Sequence, residues 1–356
     1  MTTVLVVDDD PRARRVLKNF FEGHEGFTVI GEAENGAEGV QQAQSLNPDL
    51  ITMDIEMPGM SGLEAISIIM RDIPTPIVVI SAQDSAGTIY EATLRGALEF
   101  YPKAIFTSPM DPERRSHIYA TLKRISAVQR KKSPPINPAR PSPRAIEYRP
   151  IRAVVIGAST GGPKALMEVF AEIPKDFPAP IITVQHNSSG FDKGFVQWIQ
   201  RYTALEVLLA EHEALRRSGR IYIAPTDKHL ILTRQYLCLD DGEPVLNQKP
   251  AVDLLFQSAA EVLGREVISV VLTGMGRDGA TGTKAIRKAG GITIAQDEAS
   301  SLIYGMPKSA IETGCVDIIL PLGAIAKWLI ALTMPSGGAI GYGRGNPYVC
   351  ERTAVR

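Results

Sequence analysis

Two α/β domains in tandem are predicted by this sequence: a (βα)5 unit, then a larger, doubly wound and largely parallel one. Three observations carry the expectation. Short β-branched runs alternate with helical stretches in both halves of the chain. A basic, proline-rich stretch separates the halves. With 356 residues and 44% hydrophobic content, the chain is long enough for two packed cores.

Within residues 1–125, strands are expected at VLVV around Val4, FTVI from Phe27, DLITM from Asp49, PIVVI from Pro76 and a short run near Phe100. A helix over Arg115–Val128 ends this part. Residues 126–150, with QRKKSPPINPARPSPRAIEYRP from Gln129, read as an exposed, semi-extended linker, because that composition packs no core. A second alternation fills residues 151–334, with strands at RAVVIG, PIITVQ, LEVLLA, GRIYIAP, HLILT, VISVVLTG and GITIAQ. Amphipathic helices fall between them, notably Pro163–Ile173 and Thr281–Ala289. A parallel sheet covered on both faces follows, and such sheets bind ligands outside the carboxyl ends of their strands, where the strand order reverses. The Gly-rich tail, residues 335–356, is expected to be disordered and receives no role.

Composition narrows the function classes. The formal net charge is -1, with 38 Lys+Arg against 39 Asp+Glu, so no basic field favours nucleic acid. No apolar run approaches the roughly 20 residues that span a bilayer, and the acidic MTTVLVVDDD start is unlike a signal peptide, so a cytoplasmic protein with no membrane insertion is expected. Cys238, Cys315 and Cys350 are widely spaced and outside any CxxC pattern, which disfavours a disulfide framework or a zinc site.

Asp8, Asp9 and Asp10 follow the first predicted strand and Asp54 the third, so their carboxylates converge on one sheet edge. Hard oxygen ligands of this kind suit Mg²⁺, which bridges carboxylates to phosphoryl groups. Ser81 and Lys103 end the fourth and fifth strands on the same edge, a hydroxyl and an ammonium suited to phosphoryl oxygens. Taken singly, Asp10 before Pro11 is a good helix-start residue and Ser81 a good loop cap.

Together these positions resemble the receiver domain of two-component response regulators, from Thr2 to about Ile125. The resemblance implies Asp54 as the phospho-acceptor, Asp8 and Asp9 as the acidic pair holding Mg²⁺, and the Glu56 backbone carbonyl as a further metal ligand. It also implies Ser81 as the switch hydroxyl, Phe100 as the switch aromatic and Lys103 as the phosphate-side cation. The family usually has Pro after that lysine; this chain has Ala104, which disfavours a cis peptide there.

In the second domain, Ser159 in GASTGGP lies between an apolar run and a predicted helix. A hydroxyl there is placed to be an activated nucleophile, since helix-start N–H groups stabilise developing negative charge; Gly, Ser and Thr also make ordinary turns. A serine nucleophile needs a base, and of the five histidines His186 in VQHNSSGF is best placed, directly after a strand on the same edge. His212 reads as solvated and His229 as orienting a turn. Asp278 in LTGMGRDGATG fits the orienting carboxylate, with Asp297 as the alternative. GASTGG lacks the GxSxG elbow, which disfavours the ordinary lipase fold.

GASTGGP, VQH, IYIAPTDKHL, KPAVDLLF, LTGMGRDGATG and AQDEASSLIYGMPKSAIETG together resemble the catalytic domain of the chemotaxis protein-glutamate methylesterases, the CheB family, from about Ile151 to Leu332. The resemblance implies Ser159 as nucleophile, His186 as general base and acid, and Asp278 as its orienting partner. It further implies that the Met275 backbone N–H serves the oxyanion site and that Thr160 lines the pocket. The implied activity is hydrolysis of methyl esters on glutamate side chains of methyl-accepting chemoreceptors, with linked deamidation of receptor glutamines. The resemblance implies no cofactor for the esterase. A chemotaxis histidine kinase would phosphorylate Asp54, and the unphosphorylated receiver is expected to cover the edge bearing Ser159. The family commonly has Met-Pro after the histidine, whereas this chain reads Asn187, Ser188, Ser189, so receptor preference stays open. Two rivals are a non-catalytic, phosphorylation-dependent binding protein and a receiver fused to a nucleic-acid-binding output.

Overall fold

The computed structural model describes residues 1–81, 86–127, 149–187, 190–334, 339–343 and 346–353. The chain divides into two compact units, Met1–Lys132 and Ser133–Arg356. The expected linker lies almost entirely outside the described residues, as do Ser188 and Ser189.

The first unit alternates β1 (Thr2–Val7), α1 (Pro11–Glu22), β2 (Phe27–Ala33), α2 (Gly36–Leu46), β3 (Leu50–Met53), α3 (Gly62–Asp72), β4 (Ile77–Ser81), α4 (Ala86–Leu94) and β5 (Glu99–Pro102), then α5 (Ala104–Thr107) and α6 (Pro112–Ser126). Its five strands are parallel in the order β2-β1-β3-β4-β5, so the order reverses between β1 and β3 and their carboxyl ends flank a crevice. The runs read as strands are buried throughout β3 and β4, as a sheet covered on both faces requires. Phe20, Phe21, Phe27, Tyr119 and Leu122 pack one side of the core. Helix starts obey local chemistry: Asp10 caps α1 by accepting from the Arg12 N–H at 2.9 Å with Pro11 at the first position, and Ser61 and Glu64 form a capping box on α3.

The second unit contains β6 (Ala153–Ala158), α7 (Gly162–Ala171), β7 (Ile181–Gln185), α8 (Asp192–Gln200), β8 (Glu206–Leu209), β9 (Ala214–Leu215), β10 (Arg220–Ile223), β11 (His229–Leu232), β12 (Tyr236–Asp240), α9 (Val252–Leu263), β13 (Val267–Val271), α10 (Ala280–Lys288), β14 (Ile292–Gln296), α11 (Met306–Glu312), β15 (Ile318–Leu320) and α12 (Leu322–Thr333). Seven strands form one parallel sheet in the order β15-β14-β13-β6-β7-β10-β8. The chain runs outward from β6 on one side and returns at β13 on the other, so the switch point lies between β6 and β13.

Two expectations are corrected. HLILT does not join the parallel sheet; as β11 it belongs to a separate antiparallel sheet, β11-β12-β9. Leu232 pairs with Leu237 and the Thr233 N–H donates to the Tyr236 carbonyl at 2.9 Å, a hairpin too tight for the dozen or so residues that a parallel return requires. The tail also carries regular backbone, with β16 (Ala339–Gly343) antiparallel to β17 (Asn346–Thr353). Its Tyr, Val and Thr content suits extended chain despite the glycines.

Gly62, at the start of α3, shows how tightly the first unit holds its acidic edge. Its N–H donates to the Ile55 carbonyl at 2.9 Å, and a Cβ there would lie 1.9 Å from the Asp54 carbonyl oxygen and 2.8 Å from the Ile55 Cα. Backbone atoms cannot step aside as a side chain can. Gly62→Ala is expected to destabilise this unit by about 1–3 kcal/mol, read as faster amide hydrogen exchange in peptides covering residues 50–70.

Candidate active site

Ala158 and Gln185 are register partners at the ends of β6 and β7, so Ser159 and His186 are the next residues on adjacent strands. The His186 N–H donates to the Ala158 carbonyl at 3.0 Å and the Ser159 N–H to the Thr273 carbonyl at 3.1 Å, tying both to the sheet edge. Asp278 arrives on the loop after β13, on the other side of β6. The structure brings His186 and Asp278 into contact, Nε2 to Oδ2 at 2.9 Å, with both side chains buried.

Asp278 has further partners at the start of α9. Its Oδ2 accepts from the Val252 N–H at 2.7 Å and its Oδ1 from the Asp253 N–H at 2.8 Å. Two helix-start N–H groups already donate to this carboxylate, and as an acceptor it takes its remaining hydrogen bond from a hydrogen on His186 Nε2. The lone pair is then on Nδ1, which is buried and has no hydrogen-bond partner among the described residues.

The loop from Thr273 to Gly279 approaches Ser159 closely. A Cβ on Gly274 would lie 2.8 Å from the Ser159 Cβ, and the Gly274 carbonyl accepts from the N–H groups of Gly305 and Met306. Gly276 and Gly279 have φ of 90° and 94°, so the turn between Met275 and α10 needs residues free of Cβ strain. Thr160 is buried, and its carbonyl accepts from the Thr273 hydroxyl at 3.0 Å.

In the first unit, Asp8, Asp9 and Asp54 each offer a carboxylate oxygen within 4.8 Å of the others. The donor set fits a small, hard dication. Lys103 Nζ lies 2.6 Å from Asp54 Oδ2, and 3.0 Å and 2.8 Å from the two oxygens of Asp8. Asp54 Oδ1 accepts from the Ile55 N–H at 2.7 Å. The Ser81 hydroxyl is buried without a hydrogen-bond partner among the described residues, while the Ser81 carbonyl accepts from the Lys103 N–H. Phe100 is half-buried on β5 and the Glu56 side chain is exposed. Asp10 points elsewhere, as the cap of α1. The Lys103–Ala104 peptide is trans.

Comparison with known proteins places this chain in a family. The model described as CheB methylesterase matches residues 154–329, and that described as response regulator receiver domain matches residues 4–110. A curated protein-glutamate methylesterase/protein-glutamine glutaminase of Pyrococcus horikoshii is 38% identical, the alignment covering 94% of this chain and 95% of the relative. The chain belongs to the CheB methylesterase family. A relative of Anaeromyxobacter dehalogenans, named protein-glutamate methylesterase/protein-glutamine glutaminase 2, is 39% identical over 93% of this chain and 96% of its own length. The crystal structure of the Thermotoga maritima CheB methylesterase catalytic domain matches with a TM-score of 0.50 and 41% identity, covering 51% of this chain and 98% of that one. Among the described residues no helix is long and apolar enough to cross a membrane.

Within this CheB-family chain, the alternative acid Asp297 is committed to its own turn, accepting from the Ser300 N–H at 2.9 Å and the Ser300 hydroxyl at 2.6 Å. His229 is fully buried, its Nε2 2.9 Å from the Glu243 carbonyl and its Nδ1 accepting from the Ala251 N–H, so it does orient a turn. Two residues escaped sequence reasoning. Gln185 is buried and its Nε2 donates to the carbonyls of both Ser159 and His186, at 3.0 Å and 2.9 Å. Asp253 is buried between α9 and α10. The signal was a polar residue at the end of one apolar run, IITVQ, and inside another, AVDLLF.

Burial pushes the Asp8 carboxyl above its ordinary value of 3.8, more than Lys103 pulls it down, and Asp54 adds to the rise. Lys103 is depressed by burial but raised overall by its bonds to Asp54 and Asp8. From 3.8 up to its folded value, Asp8 holds its proton better in the folded chain than in the unfolded one, so it costs stability increasingly as pH rises through that window. Asp8→Asn is therefore expected to raise the denaturation midpoint of the first unit at pH 7 in metal-free buffer, with an advantage that shrinks as pH falls toward 3.8. Chemical denaturation across a pH series measures this; a lower midpoint at pH 7 would mean that the Lys103 pairing outweighs burial.

Proposed function

We propose that the second unit hydrolyses methyl esters on glutamate side chains of chemoreceptors, with Ser159 as nucleophile, His186 as general base and acid, and Asp278 as the group that orients and charges His186. The observation carrying this reading is the buried Nδ1 of His186, which has no hydrogen-bond partner among the described residues while Nε2 is held by Asp278 on the edge where Ser159 emerges. The Ser159 oxygen attacks the ester carbonyl and its proton passes to Nδ1. The Asp278 carboxylate stabilises the imidazolium that forms. The tetrahedral oxyanion is met by the Met275 backbone N–H, in a pocket lined by Thr160. Collapse expels methoxide, which takes the proton from Nδ1 and leaves as methanol. Water then attacks the glutamyl ester of Ser159 with the same base, regenerating the hydroxyl and releasing glutamate.

The same sequence on a glutamine amide releases ammonia, which supports a glutaminase activity at the same site. Asn187, directly after His186, is read as bearing on which receptor segments enter.

Asp54 is read as the acceptor of a phosphoryl group from a chemotaxis histidine kinase, in the cytoplasm where receptor tails are reached. Mg²⁺ would be held by Asp8, Asp9, Asp54 and the Glu56 carbonyl, supplying charge neutralisation for phosphoryl transfer. Lys103 and the Ser81 hydroxyl, which has no partner among the described residues, would then bind phosphoryl oxygens, with Phe100 as the aromatic that responds. Phosphorylation raises the hydrolytic rate of the second unit.

Methanol release from methylated receptor membranes tests the hydrolytic roles. Ser159→Ala is expected to lower the rate by at least about 10⁴-fold, and retained activity would remove Ser159 from the mechanism. With a small phosphodonor and Mg²⁺ the wild-type rate should rise, and Asp54→Asn should abolish the rise; stimulation that persists in the variant would place the phosphoryl group elsewhere.

A further inference from the structure

Neither α9 nor α10 carries its own side-chain N-cap: Ala251 and Gly279 occupy the capping positions. Each helix start is satisfied instead by a carboxylate from the other. Asp278, just ahead of α10, accepts from the Val252 and Asp253 N–H groups of α9. Asp253, in the first turn of α9, accepts through Oδ1 from the Gly279 N–H at 3.0 Å and the Gly282 N–H at 2.7 Å. Both carboxylates are nearly inaccessible to water. The exchange is sterically tight: a Cβ on Gly282 would lie 2.4 Å from the Phe256 Cβ and 3.1 Å from the Asp253 carbonyl, and one on Gly279 would lie 3.0 Å from Val252 Cγ1.

Resting on the hydrolytic roles proposed above, we infer that Asp253 is a positioning residue of the esterase: by clasping Gly279 and Gly282 it fixes the turn that presents Asp278 to His186. Gly276 and Gly279, at φ 90° and 94°, bracket the turn with residues that bring no side chain of their own to hold it. Without the Asp253 clasp, the peptide after Asp278 loses its anchor, and Asp278 keeps its bonds to α9 only if the turn stays in place. The arrangement is costly to maintain, since burial raises the Asp253 carboxyl above its ordinary value and the charge of Asp278 adds to the rise, against the opposing N–H groups of Gly282, Gly279 and Thr281. A purely stabilising contact would be met more cheaply by a neutral cap.

The test uses the full chain with Asp253→Asn, which keeps an oxygen acceptor, and Asp253→Ala, which removes it. On methylated receptor membranes kcat is expected to fall about tenfold for Asn and about a hundredfold for Ala, with KM unchanged, as for small misplacements of a catalytic group. Proton NMR at low field reads the Nε2–H that His186 donates to Asp278; the signal should shift in Asp253→Asn and vanish in folded Asp253→Ala. An unchanged kcat, or a lower kcat with that signal unmoved, overturns the inference, the second outcome marking a merely structural role. If Asp253→Ala does not fold, the Asn variant decides by the same two readings. Ser159→Ala separates this inference from the reading beneath it: methanol release that survives in Ser159→Ala defeats the hydrolytic roles, whereas Asp253 variants that behave as wild type beside an inactive Ser159→Ala defeat only the clasp.

Discussion

Both oxygens of Asp278 are engaged by the start of α9 as well as by His186, and the second unit is organised around that carboxylate. An ionised acid is comfortable at a helix N-terminus, where unpaired N–H groups and the helix dipole favour negative charge. Because Asp278 is anchored from behind, it presents Oδ2 to one ring nitrogen of His186 and leaves the other facing away. The sheet order then does the rest. β13, β6 and β7 are neighbours, so Asp278, Ser159 and His186 issue from three adjacent strand ends with the serine in the middle. Gln185 adds a brace by donating to the carbonyls on both sides of the Ser159–His186 seam.

The first unit handles buried carboxylates differently. Its acids have a cation, Lys103, bridging Asp8 and Asp54, and a buried arginine, Arg14, that donates to the carbonyls of Asp8 and Asp9 while pairing with Glu34. Negative charge is thus collected at the carboxyl ends of β1 and β3 and held apart from the core by donors supplied through the fold. In the second unit Asp278 and Asp253 rely mainly on backbone N–H groups of facing helix starts; in the first, local N–H groups such as that of Ile55 are joined by the charged side chain of Lys103. That difference suits a site proposed to exchange ligands in one case and to keep one geometry in the other.

Most of this was legible because the informative residues directly follow apolar runs. Ser159 and His186 directly follow strand ends and Asp278 lies on the loop that follows β13, and parallel strands deliver their carboxyl ends to one edge. The same logic placed Asp8, Asp54, Ser81 and Lys103. What it missed depended on tertiary pairing. HLILT is apolar enough for a parallel strand, and only the tight turn from Thr233 to Tyr236 makes it one arm of a hairpin. Asp253 lies in the first turn of a helical pattern, between Val252 and Leu254, and nothing local says that its oxygens reach another helix. The choice of imidazole nitrogen was equally invisible, since it is set by the direction from which Asp278 approaches.

The exchange of carboxylates between α9 and α10 also bears on how such a site could be moved. A designer who grafts the glycine-rich segment around Asp278 onto another scaffold transfers the acid but not the donors that hold it, which lie some 25 positions earlier in the chain. The transferable module is the contiguous stretch from the start of α9 through α10, with β13 between them, because only that block carries both halves of the exchange.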